Sequence, residues 1–142
     1  MSTLAEISPA ELGADLLTRW GDQDVAPAGV VIGPTNDTQQ QQGVVAFMSA
    51  GLPQVEKYTP IQWMRAQIRC LAPTLAQADA IAQSVQLSIH GLVRRKARMA
   101  SSGEWYLVHL CNITAGPSMH FDSPETWETL LFAEMMIAND PL

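Results

Sequence analysis

Apolar and polar positions change period several times along this chain, and each change marks an element. Ser8-Pro9-Ala10-Glu11 reads as a helix start: a serine hydroxyl can accept from the amide three residues on, and proline suits the first helical position. Leu12, Leu16 and Trp20 then recur every four residues and Gly21 follows as a stop, which predicts a short amphipathic helix over 9–20. Val30-Val31-Ile32 and Val44–Met48 are short β-prone runs. The polar stretch between them, residues 33–43, predicts a hairpin with a long mobile tip. Gly51-Leu52-Pro53 signals a turn.

The clearest pattern lies in the middle. From Gln62, Met64, Ala66, Ile68 and Cys70 alternate with Arg65, Gln67 and Arg69, the period of two of a half-buried antiparallel strand over 62–71. After Pro73 the period lengthens. Thr74 and Gln77 offer a capping box, and Leu75, Ala78, Ile81, Val85 and Ile89 form the stripe of a helix over 74–90. The basic run Arg94, Arg95, Lys96 and Arg98 lies just beyond that helix, where positive charge is favourable. Residues 104–114 carry the strongest β run, closed by Gly116-Pro117. The final segment, 126–137, is open to two readings. Its Leu, Ala, Glu and Met content favours helix, whereas Trp127, Thr129, Leu131, Ala133, Met135 and Ile137 also alternate as a strand would. Strands with helices collected on one face predict a single α+β domain over 1–142, built on a mostly antiparallel sheet.

Charge narrows the function. Only 15% of residues are charged, against a norm of roughly 25%, so a surface partly covered by partner subunits is expected. The net charge is −6, from 8 basic and 14 acidic residues, and the 94–98 run holds four of the basic ones. The remainder is therefore strongly acidic, unlike a nucleic-acid-binding module, which needs a broad basic surface. The run itself reads as a solvated loop or as a contact for an acidic neighbour. No apolar stretch approaches the roughly 18 residues of a membrane span, and the first residues lack the regions of a signal peptide, so synthesis in a cytoplasm is expected.

Candidate chemistry is sparse. Cys70 and Cys111 sit in apolar runs with no CxxC spacing, and read as buried free thiols. His109 and Cys111 share a strand face without further ligands at metal spacing, so packing is the expected role. His90, at a helix end, reads as a C-terminal charge or a hydrogen-bond partner. His120 with Asp122 and a serine, Ser118 or Ser123, holds the vocabulary of nucleophilic catalysis but no nucleophile-elbow pattern. Glu125 and Glu128 read as solvated or capping groups, and Gly29–Gly33 lacks the spacing and lysine of a phosphate loop. No enzyme and no cofactor are expected.

Taken in order, the elements resemble the tail-terminator (tail-completion) proteins of long-tailed bacteriophages. The resemblance rests on AELGADLLTRWG followed by AGVVIGP, on IQWMRAQIRCLA leading into TLAQADAIAQSVQLSIHGL, on EWYLVHLCNITAGPSMHFD after a basic loop, and on TWETLLFAEMMI, a strand in that family. It covers roughly residues 8–138. The stretch DSPETWET departs from it, since the family carries an arginine-containing stretch there. The resemblance implies a structural virion protein forming a hexameric ring at the head-proximal end of the tail. That ring would end tube polymerisation, meet the tail-tube and neck proteins, and let DNA pass through an acidic lumen. Arg65, Gln67 and Arg69, with Arg94, Arg95, Lys96 and Arg98, are then the candidate interface. Asn36, Asp37, Gln39, Gln40, Gln41 and Gln42 are the candidate docking loop.

Overall fold

The structure is a computed structural model describing residues 7–21, 24–50, 54–55, 61–122 and 125–142. The 51–53 turn and Ser123 lie outside the described residues. In chain order the elements are α1 (Pro9–Trp20), β1 (Val30–Ile32), α2 (Asp37–Gln42), β2 (Val44–Ser49), β3 (Gln54–Val55), β4 (Ile61–Ala72), α3 (Leu75–Ile89), β5 (Val93–Arg98), β6 (Trp105–Asp122) and β7 (Glu125–Ala138). The strands form one sheet in the order β1-β2-β4-β7-β6-β5, with β3 beside β2 on the same flank of β4. Every pairing but β1–β2 is antiparallel. The fold is α+β, a curled sheet with α1 and α3 packed on one face.

Local chemistry explains both long helices. The Glu11 amide donates to Ser8 Oγ at 3.3 Å and Pro9 opens α1, while the Gly21 amide donates back to the Leu17 carbonyl. Leu12, Leu16 and Leu17 are fully buried. Trp20 is not. It stands 42% exposed and donates from Nε1 to the Lys96 carbonyl at 2.8 Å. In α3 the Gln77 amide donates to Thr74 Oγ1 at 3.2 Å, but the Gln77 side chain donates to the Gln42 carbonyl, so it ties α3 to α2 instead of closing a box. The buried stripe is Ala78, Ile81, Ala82, Val85 and Ile89; Leu75 falls outside it, 37% exposed. Under these helices lie Phe47, Met64, Ala66, Ile68, Cys70, Leu131, Ala133, Met135 and Ile137, one continuous apolar core.

Four expectations need correction. The hairpin over 30–48 does not exist: β1 and β2 run parallel, and parallel neighbours need a crossover, which residues 33–43 supply. The expected loop tip in that crossover is α2, a helical turn with a complete capping box, the Gln39 amide donating to Asn36 Oδ1 and the Asn36 amide to Gln39 Oε1. The basic run is no loop but β5, paired with β6 from Val93↔Leu110 to Arg98↔Trp105. Finally, Gly116-Pro117 does not close β6. A bulge between Ala115 and Ser118 absorbs the irregularity and pairing resumes to Asp122↔Glu125. Proline is tolerated there because β5 pairs only with residues 105–110, and among the described residues no other strand takes that flank of β6. The open question over 126–137 resolves as strand. β7 lies between β4 and β6, and tertiary pairing on both sides overrides its helical propensity.

Gln62, Thr126 and Asn139 hold buried polar atoms without a partner among the described residues, and at Gln62 both side-chain polar atoms are affected. Gln62 faces inward at 0% exposure, and neither its amide nitrogen nor its oxygen finds a partner among the described residues. An unsatisfied buried amide costs about 1–3 kcal/mol. Gln62→Met keeps the length and removes the polar atoms. It is expected to raise unfolding free energy by about 1–2 kcal/mol in denaturant titration, and an equal or lower value would refute this account.

Candidate assembly surface

The side chains singled out on β4 emerge on the face opposite the helices. There β4 runs beside β7, with Arg65 paired to Glu134, Gln67 to Phe132 and Arg69 to Leu130. Arg69 makes a two-pronged ion pair with Glu128, Nε to Oε1 at 2.8 Å and Nη2 to Oε2 at 3.2 Å. The Glu128 side chain is only 7% exposed, so this pair is held within the chain and carries structural weight. Arg65 differs. It lies 3.6 Å from Glu134 and 5.1 Å above the Phe132 ring, half-exposed, in a pair of the kind worth little to stability. Gln67 sits half-buried between them.

The second group forms the edge strand β5 and clusters with aromatics. Arg95 lies 5.3 Å over Trp20; Lys96 lies 4.9 Å and Arg19 4.5 Å from the Trp105 ring. Arg19 is also paired to Asp15 at 3.0 Å, a contact that raises its pKa further. Arg98 Nε donates to the Gly103 carbonyl, and its amide donates to Asp15. Arg94 is set apart. Its φ of +51° lies in the left-handed region, which costs a non-glycine residue roughly 1–2 kcal/mol. Across from it His109 is the extra residue of a bulge, since Val108 and Leu110 pair with the adjacent Ile137 and Met136. The bulge also separates His109 from Cys111, whose side chain is buried in the core, so the expected shared face is lost.

The third group, on α2, is pinned rather than loose. Gln40 donates to Thr35 Oγ1 at 2.9 Å, Gln41 donates to the Glu125 carbonyl at 3.4 Å, and the Gln42 carbonyl receives Gln77. Asn36 and Gln39 are used in the capping box, while Asp37 stays exposed in the first turn.

Of the catalytic vocabulary, Ser123 and the Asp122 side chain lie outside what the structure describes. Ser118 donates to Asp79 Oδ1 at 3.2 Å, as does Thr129 at 2.6 Å, and His120 instead stacks on Trp127 at 4.6 Å. His120 Nε2 stands 4.0 Å from Glu125. Sequence reading missed Asp79, because only the fold brings α3 over the β6 bulge. His90 accepts at Nδ1 from the Ile113 amide at 2.9 Å, joining α3 to β6. Among the described residues no three His, Cys, Asp or Glu side chains are grouped to hold a metal, and no helix is long and apolar enough to cross a membrane. An open cleft of about 200 Å³ lies along α1, but its carboxylates are engaged: Glu11 accepts from the Ser101 amide and hydroxyl, and Asp15 from Arg98 and Arg19. Burial pushes the thiols of Cys70 and Cys111 up to about 12, aided at Cys70 by the nearby Glu128 charge. Neither is a nucleophile at neutral pH.

No family model matches the chain, and no curated protein matches it. Among solved structures it is similar to a chain in the virion of a native gene transfer agent particle. The TM-score is 0.59 at 13% identity, over 97% of this chain and 99% of that one. The likeness is one of fold, and it spans both chains almost end to end.

Two measurements check this description. Arg69→Ala strands Glu128 and is expected to cost about 2–3 kcal/mol, with the Arg69→Met/Glu128→Gln double variant recovering part of it; a loss below half that range would show the pair to be idle. The two thiols are expected to resist a thiol reagent at pH 8 in the native state and to react at once in denaturant. Because both pKa values are raised by folding, the stability they contribute is complete below the ordinary thiol value of 9.0 and fades as pH climbs toward about 12. Rapid native labelling would contradict the burial.

Proposed function

We propose that this chain is a structural component of a phage-like virion, and within that class a tail terminator. The observation that carries the broader reading is the end-to-end likeness to a chain of a gene transfer agent virion: a module of the same extent and topology serves in that particle. The narrower reading rests on the order of elements that resembles the tail-terminator family. In this role the protein forms a ring, hexameric by that resemblance, on the head-proximal end of a tail. The ring stops tube growth on one side and meets the neck on the other, with DNA passing through its lumen.

The surfaces suit assembly more than chemistry. Arg65 and Gln67 present a polar row on the sheet face opposite α1 and α3, and β5 presents cations along an outer strand whose Lys96 carbonyl and Arg98 amide are taken by Trp20 and Asp15 of α1. Ring closure needs such unlike surfaces on one subunit, because contacts between different patches are the ones that propagate around an axis. The protein would then be made in the host cytoplasm and end in the particle, without cofactor or catalytic turnover.

Gold-labelled antibody on particles tests the reading. One label per tail, at the head-proximal end, is expected, together with overlong tails when the gene is deleted. Labels repeating along the tube would make the protein a tube subunit, and particles without label would end the virion reading.

A further inference from the structure

Charge in this molecule is polarised along α3. The helix spans 15 residues, about 22 Å at 1.5 Å per residue. At its C-terminal end the chain passes through Gly91 directly into β5, and the bond from Trp20 Nε1 to the Lys96 carbonyl draws the end of α1 to the same place. Arg94, Arg95 and Lys96 collect there, while Arg19 in the same aromatic cluster is already paired to Asp15. At its N-terminal end, Gln77 binds the last carbonyl of α2, Gln41 of α2 binds the carbonyl of Glu125, and Asp79 binds Ser118 and Thr129. Those bonds gather Asp37, Asp79 and Glu125. Arg69, on the other face of the sheet there, is already neutralised by Glu128.

Arg94 marks the basic end as more than a solvated strand. It is exposed, without a partner among the described residues, and held at a φ that a glycine would adopt freely. Strain kept at an exposed charged residue is a signature of a functional position. From these observations we infer that the basic end of one copy docks on the acidic end of a second copy, head to tail, with Arg94 as its anchor. The inference deepens the assembly reading above and rests on it. Charge complementarity names the occupant: outside residues 94–98 the chain carries four basic against 14 acidic residues, so another copy supplies the opposite sign. Two-fold pairing of β5 with β5 is disfavoured, because it would set like charges against each other. Unlike ends meeting is the geometry that continues around a ring.

Zero-length carbodiimide coupling of a mixture of ¹⁵N-labelled and unlabelled protein tests this directly, since the chain has two lysines, Lys57 and Lys96. Mixed-isotope peptides joining Lys96 to Asp37, Asp79 or Glu125 are expected at high protein concentration and low salt, with yield falling as salt rises. R94E should cut that yield about tenfold. R94G should cut it by a similar factor while keeping or raising the thermal midpoint, a combination that a purely structural Arg94 would not give. Three outcomes would each overturn the inference: no inter-copy product, products through other carboxylates, or wild-type yield from R94G. Loss of the product on adding duplex DNA, with the DNA bound through the same cations, would overturn it in favour of phosphate recognition. These results are independent of where the protein sits in a particle. A tail-end label with cross-links elsewhere sinks this inference alone, and head-to-tail cross-links in a protein absent from particles sink the virion reading alone.

Discussion

The pairing of β4 with β7 governs everything else in this molecule. It runs without a break from Ile61↔Ala138 to Ala72↔Trp127, and its alternation sets Met64 beside Met135, Ala66 beside Ala133 and Ile68 beside Leu131 on the inner face. A slip of one residue would send those side chains outward and bring Arg65 and Glu134 into the core. The register is therefore fixed by burial on one side and by the Arg69–Glu128 ion pair on the other. With that ribbon in place, β2 has a flank to pair with on β4, β6 has one on β7, and α1 and α3 have a single apolar surface to cover.

That arrangement also separates two kinds of surface. One face is closed by helices and holds both cysteines, whose burial removes them from chemistry. The other is left to Arg65, Gln67, Phe132 and Glu134. The strand edges differ in turn. β1 is short and apolar, and β5 is charged along most of its length. Short or charged edges discourage indiscriminate pairing. They do not prevent a selected partner of opposite charge, and a subunit of an ordered assembly needs both properties.

Some elements were legible because their causes are local. Ser8-Pro9 and Thr74 announce their helices through bonds made within one turn, and the alternation from Gln62 to Cys70 needs no distant information. Others depend on neighbours far along the chain. β5 has little apolar signal, and becomes a strand because the first part of β6 offers it an edge and Ala97 a place in the core. β1 and β2 look like the arms of a hairpin until β2 takes β4 as its antiparallel partner, which leaves β1 the parallel flank. The candidate surface divides the same way. Arg65, Gln67 and Arg69 share a face by strand geometry alone, but that Arg69 meets a buried carboxylate and Arg65 a half-exposed one follows from where Glu128 and Glu134 fall on β7.

By itself the sequence determined the α+β class, the two long helices and the central strand, since each follows from periodicity or capping. Only the tertiary structure decided that residues 126–137 are a strand, that the polar 33–43 stretch is a crossover, and that Asp79 meets Ser118 and Thr129. The physical reason is common to all three. Backbone hydrogen bonds to β4 and β6, and side-chain bonds from Gln41, Gln77 and Asp79, join positions tens of residues apart, and no local pattern records them.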